Sequence, residues 1–167
     1  MKKKLQVASC MFLVVMLFSA MAFTEDHSSC PLHKEHMAEV AHKGDQVMGF
    51  EHTKSSHHFL LKADGGVILA DALDSHDRKT IEQIRMHFVE TAKMFSQGDF
   101  SNPQKVHSTT PPGVPDLVEL KDSISYKFQE REKGGEVVIS TKDERALKAI
   151  HAFLRFQIEE HNTGDPL

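Results

Sequence analysis

Residues 49–167 read as one small α+β domain: a duplicated ββα unit whose four strands form an antiparallel sheet with two helices packed on one face. Three observations lead there. Short apolar stretches come in two pairs of strand-like segments, each pair divided by a Gly-Gly dipeptide. A run with apolar residues at helical spacing follows each pair. The second set then repeats the order of the first at a nearly constant offset.

The first unit spans 57–99. On a strand, His57, Phe59 and Leu61 face one way and His58 and Leu60 the other, after which Asp64-Gly65-Gly66 supplies turn residues and Val67-Ile68-Leu69-Ala70 returns. Asp74-Ser75-His76-Asp77 offers an N-cap to a helix whose stripe is Ile81, Ile84, Phe88, Ala92 and Phe95, ended by Gly98-Asp99. The second unit spans 124–165. Ile124, Tyr126 and Phe128 alternate with polar residues, Gly134-Gly135 turns the chain, and Val137 and Ile139 return. Asp143 then caps a helix striped by Leu147, Ile150, Leu154 and Ile158, and Gly164-Asp165 closes it. Aligning the Gly-Gly pairs sets the units 69 residues apart and aligning the Gly-Asp pairs sets them 66 apart, so the second is shorter by three between hairpin and helix.

Phe100 to Ser123 joins the units as a stiff, irregular crossing around Thr110-Pro111-Pro112-Gly113-Val114-Pro115. One short helical turn from Asp116 to Lys121 tucks Leu117 and Leu120 against the core. The inner sheet face carries Phe59, Leu61, Ile68, Tyr126, Phe128, Val137 and Ile139. The outer face is apolar in the first unit (Leu60, Val67, Leu69, beside His58) and polar in the second (Ser125, Lys127, Gln129), which predicts a homodimer contact or a docking surface for a periplasmic partner.

Ahead of the domain, residues 1–22 read as a signal peptide. Lys2, Lys3 and Lys4 precede an apolar run from Met11 to Phe18 and a small-x-small cleavage site at Ala20-Met21-Ala22. The run is well short of the ~20 residues that span a bilayer, so no stable membrane anchor is expected after cleavage. Cleavage removes three lysines and no acid, leaving 17 basic against 24 acidic residues, a formal charge of about −7 with histidines neutral. That balance, without a basic stripe, excludes nucleic acid as a partner. Cys30 is the only cysteine that remains, so no intramolecular disulfide forms.

Twelve histidines are the compositional anomaly. Protonation of all of them would swing the charge of residues 23–167 from about −7 to about +5. Residues 23–48 read as a flexible arm with at most one short helix around Lys34 to Lys43. In this arm His27, Cys30, His33, His36, Glu39, His42 and Asp45 recur at every third position, each a metal-ligand type. Within the domain, His57 lies on the inner face, His87 borders the first helical stripe and His151 lies on the second. These three, with His107 or His52 arriving from loops, form the expected intra-domain site, and Met48, Met86 and Met94 offer soft donors. His151 and His161 are ten residues apart, about 15 Å of helix rise, so they cannot share an ion. The sequence lacks a His-Glu-x-x-His pair, a Gly-x-Ser-x-Gly elbow, a phosphate loop and a Cys-x-x-Cys pair, so no catalytic residue is assigned and nothing marks an enzyme.

A set of signatures runs through these elements: Met48-Gly49-Phe50, His57-His58-Phe59, Gly65-Gly66, Ile84-Arg85-Met86-His87, Pro111-Pro112-Gly113-Val114-Pro115, and Ile150-His151 with Phe153-Leu154-Arg155-Phe156-Gln157-Ile158. In these the chain resembles a group of small exported, histidine-rich bacterial proteins. The resemblance implies export and brings no activity. The leading expectation is an exported, periplasmic protein that buffers, carries or senses a transition metal, copper or zinc. The alternatives are a pH-responsive interaction module or homodimer without metal, and a metal-dependent enzyme with three fixed ligands and an open position.

Overall fold

The computed structural model describes residues 31–167, His33 by its backbone alone. The expected signal peptide lies outside the described residues, as do His27, Cys30 and the side chain of His33. The chain runs α1 (Pro31–Met48), β1 (Ser55–Lys62), β2 (Gly65–Ala72), α2 (Arg78–Ser96), α3 (Ser101–His107), α4 (Val114–Glu119), β3 (Ile124–Arg131), β4 (Gly134–Thr141) and α5 (Glu144–His161). The strands form one antiparallel sheet in the order β1-β2-β4-β3. This is the α+β duplication that the patterning predicts, with α2 and α5 on the same sheet face.

The caps are the aspartates expected. Asp77 accepts the Thr80 N–H at 3.0 Å and opens α2; Asp143 accepts the Arg145 and Ala146 N–H groups at 2.8 and 2.9 Å and opens α5. These two positions are 66 residues apart, as are the helices they start. α5 ends at Asn162, in the left-handed region at φ 48°, before Gly164 is reached. Asp165 then folds back on the edge strand β1, accepting from the Phe59 N–H at 2.9 Å and pairing with His58 Nδ1 at 2.9 Å. The tail thus satisfies an edge N–H that the sheet leaves open.

The two Gly-Gly pairs do more than turn the chain. The turns themselves are Ala63-Asp64 and Glu132-Lys133, because Lys62 pairs with Gly65 and Arg131 with Gly134. At the centre of the sheet, a Cβ on Gly65 would strike the Ile139 carbonyl and one on Gly134 the Ala70 carbonyl. Each contact maps onto the other through the 69-residue offset, which makes β2 and β4 partners about a pseudo-twofold axis. The inner glycines receive the helices: a Cβ on Gly66 would collide with Leu154 of α5, and one on Gly135 would lie 3.4 Å from Phe88 of α2. Leu154 and Phe88 are 66 apart, so each helix lies over the other unit's hairpin, α2 on β3 and β4, α5 on β1 and β2. The core is the slab between, with Ile81, Ile84, Phe88, Val137, Ile150, Phe153 and Leu154 fully buried.

Three expectations change. The arm is not separate from residue 31 onward: α1 packs on α3 and α5, with Val40 3 % exposed and Gly44 buried. Its inward stripe runs Val40, Gly44, Val47 and Met48, with Val40 and Gly44 buried and the other two half-buried, and the glycine at its centre hides the period from a hydrophobicity count. The connector holds α3 as well as the expected turn; Pro103 is tolerated there because it falls in the first helical turn. The outer face is less apolar than the pattern implies. Val67 and Leu69 are only 9 % and 8 % exposed, and Arg131 pairs across this face with Asp71 and Glu136 at 2.9 and 3.1 Å. No helix among the described residues is long and apolar enough to cross a membrane.

Candidate functional site

Four histidines from four elements line one cavity of about 80 Å³ beneath α1. His57 comes from the inner face of β1, His87 from α2, His107 from the end of α3 and His161 from the last turn of α5. The rest of the wall is mainly phenylalanine and aliphatic, with Met48 and Met94 among it, and no acidic or basic residue other than histidine lines it. The His161 ring lies between two others, its centroid 5.1 Å from His107 and 6.5 Å from His57. His57 and His87 share Phe50, at 5.8 and 5.9 Å. Phe59 and Phe88 wedge the same rings from the core side.

Burial sets the protonation of this group. It pushes His57 down to about 3, helped by the nearby imidazoles of His161, His87 and His58. His87 falls to about 4 by burial alone, and His161 to about 4 by burial and by His107, against the pull of Glu160. His107 is lowered too, by burial, although a bond to Gln157 and the Glu160 carboxylate oppose it. All four are therefore neutral near pH 7, the form that donates a lone pair. The large charge swing available on paper is therefore not carried by His57, His87 or His161 between pH 7.5 and 5.5.

His107 is the most enclosed of them, its side chain 1 % exposed. Its Nε2 lies 3.1 Å from Gln157 Oε1 and, bonded to that carbonyl oxygen, carries the proton. That leaves Nδ1 as a lone pair, and it has no hydrogen-bond partner; the nearest carboxylate oxygen, on Glu160, is 3.6 Å away. Gln157 Nε2 is likewise buried without a partner. Buried polar atoms are seldom left so. A second, open cleft, walled by α1 and the β1 edge, meets the cavity at Gly44, Met48, His57 and His161 and brings His52 and His58 to its rim.

His57, His87 and His107 are thus brought together as the sequence suggested, with Met48 and Met94 beside them. His151 is not. Its Nε2 lies 2.9 Å from the Lys62 carbonyl and 3.1 Å from that of Gly65, so it ties α5 to the β1–β2 turn. His151, mid-way along α5, and His161, at its last residue, are not expected to share an ion, and it is His161 that lines the cavity. A signal for it existed: position 161 continues the stripe at Leu154 and Ile158 by seven and three residues. Met86 is 58 % exposed and takes no part.

The arm histidines are dispersed. His36 pairs with Glu160 at 2.7 Å, His42 with Gln46 at 3.0 Å, and exposed His52 with Asp45 at 3.0 Å. In an α-helix each step of three falls about 60° short of a full turn, so a three-residue period winds round the surface instead of making one face. Among the described residues no group of three or more His, Cys, Asp or Glu side chains is arranged to hold a metal ion. The cavity gathers imidazoles without closing them into a finished coordination sphere.

No protein-family model matches the chain, and no curated protein or solved structure matches it either.

The internal duplication supplies a comparison of its own. Through the strand offset His57 corresponds to Tyr126, and through the helix offset His87 corresponds to Phe153 and His161 to Phe95. The register agrees, since His57 pairs with Ala70 and Tyr126 with Ile139. These three counterparts also cluster, with the Phe95 ring 5.8 Å from Tyr126 and 5.9 Å from Phe153. One arrangement of three rings is therefore filled with imidazoles on one side of the axis and with aromatic packing on the other.

Proposed function

We propose that this is an exported transition-metal-binding protein that takes copper or zinc in the cavity lined by His57, His87, His107 and His161. The observation that carries the reading is the paired ring clusters. Tyr126, Phe153 and Phe95 satisfy the packing at one position, so rings of that size suffice there, and imidazoles at the other add only their nitrogens. Those imidazoles are neutral and sit in a mainly apolar wall, where His87 Nε2 meets only the Thr91 hydroxyl at 3.4 Å and the neighbouring His107 Nδ1 has no partner, a donor set of the kind copper and zinc take. The His107 and His161 centroids, 5.1 Å apart, match the spacing of about 5 Å that two imidazoles have when each binds one ion at about 2.0–2.1 Å, while His57 stands wider at 6.5 Å from His161.

The test compares the full chain with the variant His57→Tyr, His87→Phe, His161→Phe, which installs the side chains of the symmetric cluster. Calorimetric titration with copper and with zinc in turn should give one submicromolar site for at least one of the two ions in the parent chain. The variant should keep its fold and lose that site. Equal metal binding by the two proteins rules out the cavity as the place where metal is held.

A further inference from the structure

Resting on the metal-binding reading, we infer that the ion held in the cavity is cuprous copper, with the thioethers of Met48 and Met94 as donors beside the imidazoles, and that zinc is rejected. The argument is electrostatic. Among the residues lining the cavity there is no carboxylate and no thiolate, and every donor side chain present is uncharged: four imidazoles, two thioethers, two amides and the Thr91 hydroxyl. An ion bound there keeps its whole charge in a wall of phenylalanine. The solvation cost of burying an ion rises with the square of its charge, so a dication costs four times what a monocation of similar size does. Glu160, 3.6 Å from His107 Nδ1 and 27 % exposed at its side chain, is the one carboxylate at the rim. The same oxygen also pairs with His36 at 2.7 Å, so it offsets at most a single positive charge and leaves a zinc ion no better than half compensated.

The donors agree with the charge. Thioether sulfur is a soft ligand that suits Cu(I) and does little for Zn(II), which takes imidazole, thiolate or carboxylate. Met48 closes the last turn of α1 and lays its Cε over Gly44, both of them lining the cavity. Met94 enters from α2, its sulfur 3.5 Å from the Asn102 side-chain amide. Both border the cavity that holds the histidines, whereas Met86, the third methionine with the same helical context, is exposed. Met48, His57 and His161 also wall the open cleft, whose rim carries His52, so the buried donors are reached from a surface that already presents imidazole.

The experiment uses the full chain carrying Cys30→Ser, which removes the one thiolate that would bind Cu(I) on its own. Copper(I), supplied anaerobically as its acetonitrile complex, is titrated against a chromophoric Cu(I) chelator, and Zn(II) against a zinc chelator. The expected result is Cu(I) affinity at least about a hundredfold above Zn(II). His161→Phe should lower Cu(I) affinity by about a hundredfold, one ligand's share of a site, and Met48→Leu with Met94→Leu by about tenfold, with melting temperatures confirming the fold of each. Zinc bound as tightly as copper, with both lost in His161→Phe, overturns the cuprous assignment and leaves the metal site standing. Copper(I) binding that ignores all three substitutions places the ion elsewhere and overturns the inference. Absence of binding by either ion overturns the metal reading with it.

Discussion

Acid should destabilise the metal-free protein steeply, and well above the range where carboxylates titrate. His57 stands at about 3 and His87 and His161 at about 4 in the folded chain, against 6.5 for an exposed imidazole. Between those values the unfolded chain binds a proton at each site and the folded chain does not, so the folded state loses stability as pH falls from about 6.5. Above 6.5 the contribution is fully present. Each histidine costs about 1.4 kcal/mol per pH unit through the window, so the three remove up to about 6 kcal/mol between pH 7 and pH 5. A domain of this size has about 5–15 kcal/mol in all. With a urea slope of about 2 kcal/mol per molar, the unfolding midpoint should drop by about 2–3 M. The assay is urea unfolding followed by far-ultraviolet circular dichroism at pH 7.5, 6.5, 5.5 and 5.0, with a chelator present. His161→Phe should remove about a third of the slope. A midpoint that stays constant from pH 6.5 to 5.0 would refute the burial argument, because it would mean that the imidazoles protonate in place without opening the cavity.

Other outcomes follow from the packing. Gly66→Ala should cost about 1–3 kcal/mol in chemical denaturation, since its Cβ would meet both Leu154 and the Leu60 carbonyl, and the backbone cannot yield. Gly135→Ala should cost less, because the nearest atom, 2.7 Å away, is the edge of the Phe128 ring, which can turn. Asp77→Ala and Asp143→Ala should each lose about 1 kcal/mol from a helix start, and the double variant close to the sum. His151→Leu should lower stability by about 1 kcal/mol through its bonds to the Lys62 and Gly65 carbonyls, and leave metal affinity unchanged. Loss of metal binding in that variant would contradict its exclusion from the site.

The fold was legible because local and tertiary signals agree in this chain. Capping aspartates, stripes and glycine pairs all point to the same elements, and the two offsets, 69 and 66, turn out to be the sheet and helix parts of one pseudo-twofold. α1 was harder to see because its contact rests on Val40 and on Gly44, a residue that contributes no hydrophobic signal. The site was legible in part. His57, His87 and His107 could be assembled from strand parity, stripe position and loop context, but the choice between His151 and His161 depends on which end of α5 faces the cavity. That in turn depends on the exchange of helices between units, a long-range property that no local period encodes. The three-residue rhythm of the arm misled for a simpler reason: it fits no face of an α-helix.

The duplication separates what the fold requires from what the site requires. A ring occupies each of six equivalent positions between helix and sheet, and Tyr126, Phe153 and Phe95 fill three of them with aromatic packing at the cost of one buried hydroxyl, that of Tyr126, without a partner. At His57, His87 and His161 the same space is filled by rings that bury less apolar surface and make the protein sensitive to acid. His107, packed edge-on against Phe156 at 5.0 Å, adds a buried lone pair beside an unpartnered Gln157 amide nitrogen. A core under selection for stability alone would converge on the aromatic solution that this chain already contains. The imidazole solution is favoured only if something binds those nitrogens and returns the stability lost in placing them, since a ligand that binds the folded state alone stabilises it by mass action. Metal added to the protein should therefore raise the melting temperature and also raise the urea midpoint at pH 5.5 as it does at pH 7, offsetting the stability lost to acid. In the aromatic-filled triple variant it should do neither.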